Sequence, residues 1–247
     1  MDKLLAAARR IYAERYPEAQ MVLVAGSLIR GEGTAYSDLD LVVVYESLPA
    51  AYRESFTFGQ YPVEAFVHDP ETLEYFFTKV DRPSGIPALP HMVAEGVAVP
   101  EGTPLAQRLK ARAVEILAMG PPRLSTSEER RMRYGVTDIR DDLRGARTYT
   151  EAVAVGGQLY ETVANYYLRT RGHWSARGKA IPIQLTQHDA ALASQLLSAF
   201  EHLFRTGDPG QAIEVTDGIL AECGGALFDG FRQDAPMEWR APWGRPV

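Results

Sequence analysis

The segment that most restricts the fold is Asp38-Leu39-Asp40-Leu41-Val42-Val43-Val44-Tyr45, an apolar, β-branched run whose entrance carries two carboxylates. Its length and its valines predict a buried strand. Successive strand residues point to opposite faces, and alternate residues recur about 6.7 Å apart on one face. Asp38 and Asp40 therefore share a face with Val42 and Val44, while Leu39, Leu41 and Val43 fill the other. Two like charges about 5 Å apart repel by roughly 3 kcal/mol at an effective dielectric near 20, so a partly buried pair shares a proton or binds a cation. An isolated pair of this kind also fits a solvated strand edge, so its surroundings have to decide.

Upstream, Met21-Val22-Leu23-Val24-Ala25 is a second short apolar run, closed by Gly26. A Gly-Ser pair at the end of a buried strand can turn sharply into a helix whose free N–H groups, with the serine hydroxyl, cradle an anion. The stretch Arg30-Gly31-Glu32-Gly33-Thr34 reads as the loop leading into the acidic strand. All-oxygen ligation with no clustered histidine or cysteine suits Mg²⁺, which completes its octahedron with water and phosphate oxygens.

Around this core the pattern is helical. Leu4, Leu5, Ala8, Ile11 and Tyr12 recur at helical spacing and predict a helix ending before Pro17. A third strand is expected at Val63–Val67, and a helix after it with Asp69 as N-cap and Pro70 at its first position, running through Leu73, Phe76 and Phe77. Further helices are expected after Pro87, Pro104 and Ser127. The Gly120-Pro121-Pro122 break predicts a boundary between domains spanning 1–120 and 121–247, because two prolines cannot continue a helix.

Composition narrows the function classes. Hydrophobic residues at 46% and charged residues at 23% exclude a disordered or fibrous chain. The net charge is −6, and residues 1–120 hold 11 basic against 16 acidic side chains. That balance disfavours a non-specific nucleic-acid binder. The single cysteine, Cys223, excludes an intramolecular disulfide or a multi-thiolate metal site and is expected to be a small buried hydrophobe. His68, His91, His173, His188 and His202 show no paired metal spacing and are expected to be structural or surface groups. With no apolar run near the roughly 18 residues of a membrane span and no signal-peptide core at the start, a cytoplasmic location is expected.

Ala25-Gly26-Ser27, ten residues, then Asp38-Leu39-Asp40-Leu41 resembles the signature of the nucleotidyltransferase superfamily of DNA polymerase β type. The resemblance implies an α+β nucleotidyltransferase domain with a small mixed sheet, followed by an all-α bundle. It implies a triphosphate bound at Gly26 and Ser27, and two Mg²⁺ ions held by Asp38, Asp40 and a third acid on a neighbouring strand. Glu64 matches that third position, as metal ligand, general base or both. It lies in an apolar strand interior, where an ionised Glu is costly unless paired or metal-bound; an edge-strand Glu facing water is the alternative. Arg30, just after the turn, is a candidate triphosphate contact, or a solvated loop charge.

More weakly, Arg171-Gly172-His173-Trp174-Ser175-Ala176-Arg177-Gly178-Lys179 is similar to a stretch in the helical domain of streptomycin and spectinomycin adenylyltransferases, whose basic residues contact nucleotide phosphates. Lys179 matches that pattern; a second lysine does not, since Ile181-Pro182-Ile183-Gln184 stands in its place. The alternative is that Arg169, Arg171, Arg177 and Lys179 solvate a turn. Asp138, Asp141 and Asp142 lie on one helix face, as an acidic patch able to attract a polycationic acceptor or as a solvated face offset by Arg140 and Arg144. Tyr160, Tyr166 and Tyr167 are expected in the core and its wall. The implied activity is Mg²⁺-dependent transfer of AMP from ATP to a hydroxyl of a small molecule such as an aminoglycoside-type antibiotic, with release of pyrophosphate. A regulatory or antitoxin-like protein that adenylylates or binds a protein partner is the alternative.

Overall fold

The computed structural model describes residues 2–240. The chain divides into two compact units at the Pro122–Arg123 junction. In the first, β1 (Met21–Ala25), β2 (Leu39–Val44), β3 (Tyr52–Phe58), β4 (Tyr61–His68) and β5 (Val97–Val99) form a mixed sheet in the order β3-β4-β2-β1-β5. β1 is antiparallel to β2 and β5, β3 is antiparallel to β4, and β2 and β4 are parallel. Helix α1 (Asp2–Arg15) precedes the sheet. Helices α2 (Pro70–Tyr75), α3 (Arg82–Ser84), α4 (Ala88–Glu95) and α5 (Pro104–Met119) follow β4, with β5 between the last two.

The two-residue period of β2 sorts the core into two layers. Leu39, Leu41 and Val43 join Val22, Val24, Val63 and Ala65 under Ala8 and Ile11 of α1. Val42 and Val44 join Met21, Leu23, Leu73, Phe77, Val93 and Ile116 on the opposite side. Leu39, Leu41, Val42, Val43 and Val44 are each 0% exposed, which is worth on the order of 10 kcal/mol in transfer free energy. A slip of one residue in register would bury Asp40 in the layer under α1, so this packing also places the carboxylates.

Local signals set most element ends. Asp69 caps α2 as expected: its carboxylate accepts from the Thr72 N–H at 2.8 Å, and the Thr72 hydroxyl accepts from the Asp69 N–H at 2.9 Å. The helix then widens into a π-helical turn over Phe76–Asp81, and Asp81 accepts from the Leu89 N–H at 2.8 Å near the start of α4. Edge strands β3 and β5 were not expected. The sequence of β3, Tyr-Arg-Glu-Ser-Phe-Thr-Phe, is too polar to read as core, and its place is decided by tertiary partners: Glu54 accepts from Arg15 at 2.5 Å and from the Tyr16 hydroxyl at 2.8 Å, and Arg15 lies 4.0 Å from the Phe56 ring centroid.

The second unit is helical: α6 (Thr126–Arg144), α7 (Tyr149–Thr170), α8 (Ala180–His188), α9 (Ala190–Thr206) and α10 (Gly210–Ala221). Helix α6 begins at Thr126, two residues before the expected start after Ser127, because Ser125 and not Ser127 is the N-cap and forms a capping box with Glu128. Tyr166 and Tyr167 are buried with Val136, Leu159, Phe200 and Leu203, and Tyr160 packs against them. A Cβ on Gly156 would meet Leu203 at 2.5 Å, so glycine permits the close approach of α7 and α9. Asp141 of the acidic face pairs with Arg140 at 3.1 Å and Arg144 at 2.9 Å, while Asp138 and Asp142 are exposed. Cys223 is half-buried at the margin of this core, where full burial was expected. His173 and His188 stack at 3.6 Å between ring centroids. No helix among the described residues is long and apolar enough to cross a membrane.

Candidate active site

Asp40 is the second residue of β2, flanked in register by Ala25 of β1 and Glu64 of β4. Paired strands lie about 4.8 Å apart, so this register sets Asp40 and Glu64 side by side on the face that also carries Val42 and Phe66. Asp38, just before β2, completes the group. One carboxylate oxygen from each of Asp38, Asp40 and Glu64 lies within 4.8 Å of the others, and all three residues are half-buried. Three half-buried carboxylates at this spacing need positive charge, and an all-oxygen donor set suits a hard divalent cation.

The bend after β1 is shaped to the same purpose. Gly26 has φ +79°, and a Cβ there would fall on the Asp40 carboxylate, 2.8 Å from its Cγ and 3.1 Å from its Cβ. Glycine is thus required twice, by its left-handed backbone and by the Asp40 side chain lying across it. The space a side chain would take is the space the carboxylate uses, so these residues fit a bound divalent ion.

After Gly26-Ser27 the chain makes a single hydrogen-bonded turn and then runs on as a loop. Arg30 N–H reaches the Gly26 carbonyl at 3.3 Å and Glu32 N–H the Ser27 carbonyl at 2.9 Å, after which Gly31 turns the chain at φ +75°. Ser27 is 8% exposed, and its hydroxyl lies 3.3 Å from that of Ser37, which accepts from the Thr34 N–H at 2.9 Å. Ser37 directly precedes Asp38, so this contact ties the Gly-Ser bend to the first carboxylate. Sequence reasoning passed over Ser37, although its place beside Asp38 was a usable signal. It also passed over Arg53 of β3, which forms an ion pair with Glu64; no pattern announced it, because it depends on the register of a strand that was not foreseen.

The structure therefore gathers Gly26, Ser27, Asp38, Asp40 and Glu64. Arg30 is engaged elsewhere: its guanidinium pairs with Glu32 at 2.8 Å and Glu95 at 2.6 Å, and these partners raise its pKa. Lys179 belongs to the helical unit, exposed in the turn before α8. Within that unit Arg169 is buried, and burial lowers its pKa; Arg171 pairs with Glu222 and lies 3.7 Å from the Tyr167 ring centroid. Arg177 is exposed. Asn165 clamps the intervening loop, donating to the Ala176 carbonyl at 3.0 Å and accepting from the Ala176 N–H at 2.9 Å.

A mixed sheet bearing three carboxylates at the mouth of its central strand, beside a glycine bend, has the makings of an oxygen-ligated centre for phosphate chemistry. Residues 5–76 match the family model of the nucleotidyltransferase domain, a span that contains Gly26, Ser27, Asp38, Asp40, Arg53 and Glu64. The match supports nucleotide transfer from a nucleoside triphosphate as the general chemistry of this segment. Among solved structures, a nucleotidyltransferase-like protein from Exiguobacterium sibiricum 255-15 is similar at a TM-score of 0.44 and 17% sequence identity, over 88% of this chain and 74% of that one. No curated protein matches the chain.

Proposed function

We propose that this protein transfers a nucleoside monophosphate, AMP from ATP in the leading form, to a hydroxyl group of a small-molecule acceptor and releases pyrophosphate. An aminoglycoside-type antibiotic heads the candidate acceptors. The observation that carries this reading is the convergence of Asp38, Asp40 and Glu64 within 4.8 Å, inside the residues that match the nucleotidyltransferase domain.

In this reading Asp38, Asp40 and Glu64 hold Mg²⁺, two ions in the full site, and the ions supply neutralisation of phosphate charge and a lowered pKa for the attacking hydroxyl. The Gly26-Ser27 bend seats the triphosphate, with the Ser27 hydroxyl oriented by Ser37. Glu64 takes up the proton of the acceptor hydroxyl where that group comes within hydrogen-bond reach. Arg30 joins the phosphate contacts only by leaving Glu32 and Glu95, so its contribution is small.

The test is release of pyrophosphate from labelled ATP and Mg²⁺ in the presence of aminoglycosides, lincosamides and other hydroxylated acceptors, with wild-type protein and Asp40→Asn. The variant is expected to lose Mg²⁺-dependent ATP binding and turnover, with a melting temperature at or above wild type because a like-charge contact is relieved. A lowered melting temperature with unchanged ATP affinity would make Asp40 a structural acid and refute the reading.

A further inference from the structure

Glu64 faces two claims on its charge. It belongs to the carboxylate group with Asp38 and Asp40, and it is ion-paired with Arg53. The register explains the second. On β3, Ser55 stands opposite Glu64 and Arg53 opposite Phe66, so Arg53 reaches Glu64 along the diagonal of one face. Its guanidinium lies 4.9 Å from the Phe66 ring centroid, which seats the cation on an aromatic surface beside the carboxylates.

The two partners differ in freedom. The Glu64 side chain is 20% exposed and that of Arg53 is 60% exposed. The strand beneath Arg53 is pinned from its other face, where Glu54 binds Arg15 and Tyr16. The backbone of β3 is therefore held while the Arg53 side chain has room to turn into solvent. The pair sits where a divalent ion would also draw on Glu64, and a carboxylate oxygen committed to a guanidinium is withdrawn from a metal.

We propose that Arg53 is a placeholder cation: it holds the third carboxylate in position while no divalent ion is bound, and gives Glu64 up when the site is loaded. The proposal rests on reading Asp38, Asp40 and Glu64 as a divalent-cation site. Arg53 is on this account a positioning residue that acts through Glu64, and its removal tightens metal binding instead of weakening it.

The experiment is a Mn²⁺ titration, followed by the electron paramagnetic resonance signal of the free ion, on wild-type protein and on Arg53→Gln, Arg53→Lys and Asp40→Asn. Arg53→Gln keeps the polar stem over Phe66 and removes the charge. It is expected to bind Mn²⁺ about fivefold more tightly, equivalent to about 1 kcal/mol, the upper value for an exposed ion pair. Arg53→Lys, which keeps the charge, is expected to return the affinity towards wild type. Binding abolished by Asp40→Asn but unchanged or weakened by Arg53→Gln overturns the placeholder and leaves the metal site standing. Equal affinity in wild type and Asp40→Asn overturns the site and the placeholder together.

Discussion

Replacing Gly26 by alanine tests the geometry of the site at one atom. Gly26 has φ +79°, and the new Cβ would fall on the Asp40 carboxylate, 2.8 Å from its Cγ. The left-handed backbone costs an alanine about 1–2 kcal/mol. The clash is met at the end of a side chain, so Asp40 relieves it by rotating, at a cost in position that exceeds its cost in stability. The expected loss of 1–2 kcal/mol corresponds to a drop in melting temperature of roughly 2–8 °C for a chain of this size. Displacement of Asp40 is expected to weaken Mn²⁺ and Mg²⁺–ATP binding by more than tenfold, beyond what the stability loss explains. Chemical denaturation gives the first quantity, and metal and nucleotide titrations of the folded variant give the second. In a double-mutant cycle with Asp40→Ala, Gly26→Ala should have little further effect on metal binding, since the ligand it displaces has already gone. A Gly26→Ala protein with wild-type stability and wild-type metal affinity would refute the account.

Two further predictions concern stability. His68 is 3% exposed, and burial lowers its pKa from 6.5 to about 4. The unfolded chain therefore takes up a proton that the folded one refuses between those values, so His68 contributes stability that is complete above pH 6.5 and declines as pH falls through this window. Urea unfolding on either side of pH 6.5 should show that decline, and His68→Phe should flatten it; equal pH dependence in the two proteins would contradict the assignment. Asn165→Ala leaves both backbone groups of Ala176 without their side-chain partner, at an expected cost of about 1–3 kcal/mol. Trypsin should then cleave faster after Arg177 and Lys179, and an unchanged cleavage rate would mean the loop is held by other contacts.

The elements legible in the sequence are those whose reason is local. The β1 and β2 runs announce themselves because strands covered on both faces must be apolar along their whole length. Asp69-Pro70 marks the start of α2 because capping and proline geometry act over a single turn. Strand β3 was illegible for the opposite reason: its alternating polar residues acquire meaning only when Glu54 meets Arg15 and Tyr16 from α1. The loop between β1 and β2 is legible from its glycines, but its path is not, since it depends on the contact of Ser27 with Ser37 that draws the loop back. Cys223 was placed too deep, because composition says nothing about where a core ends.

Sequence by itself determined the chemistry available: two aspartates on one strand face, a glycine-serine bend ten residues earlier, a third acid in a later strand, and a single cysteine. Period and spacing settle which residues share a face, because they follow from the backbone repeat alone. Tertiary structure decided the rest. The parallel register of β2 and β4 brings Glu64 beside Asp40, the bend at Gly26 passes beneath the Asp40 carboxylate, and β3 delivers Arg53 to Glu64. Those are contacts between different strands and bends, and they are selected by the burial of whole faces, a sum over many side chains that no short stretch of sequence contains.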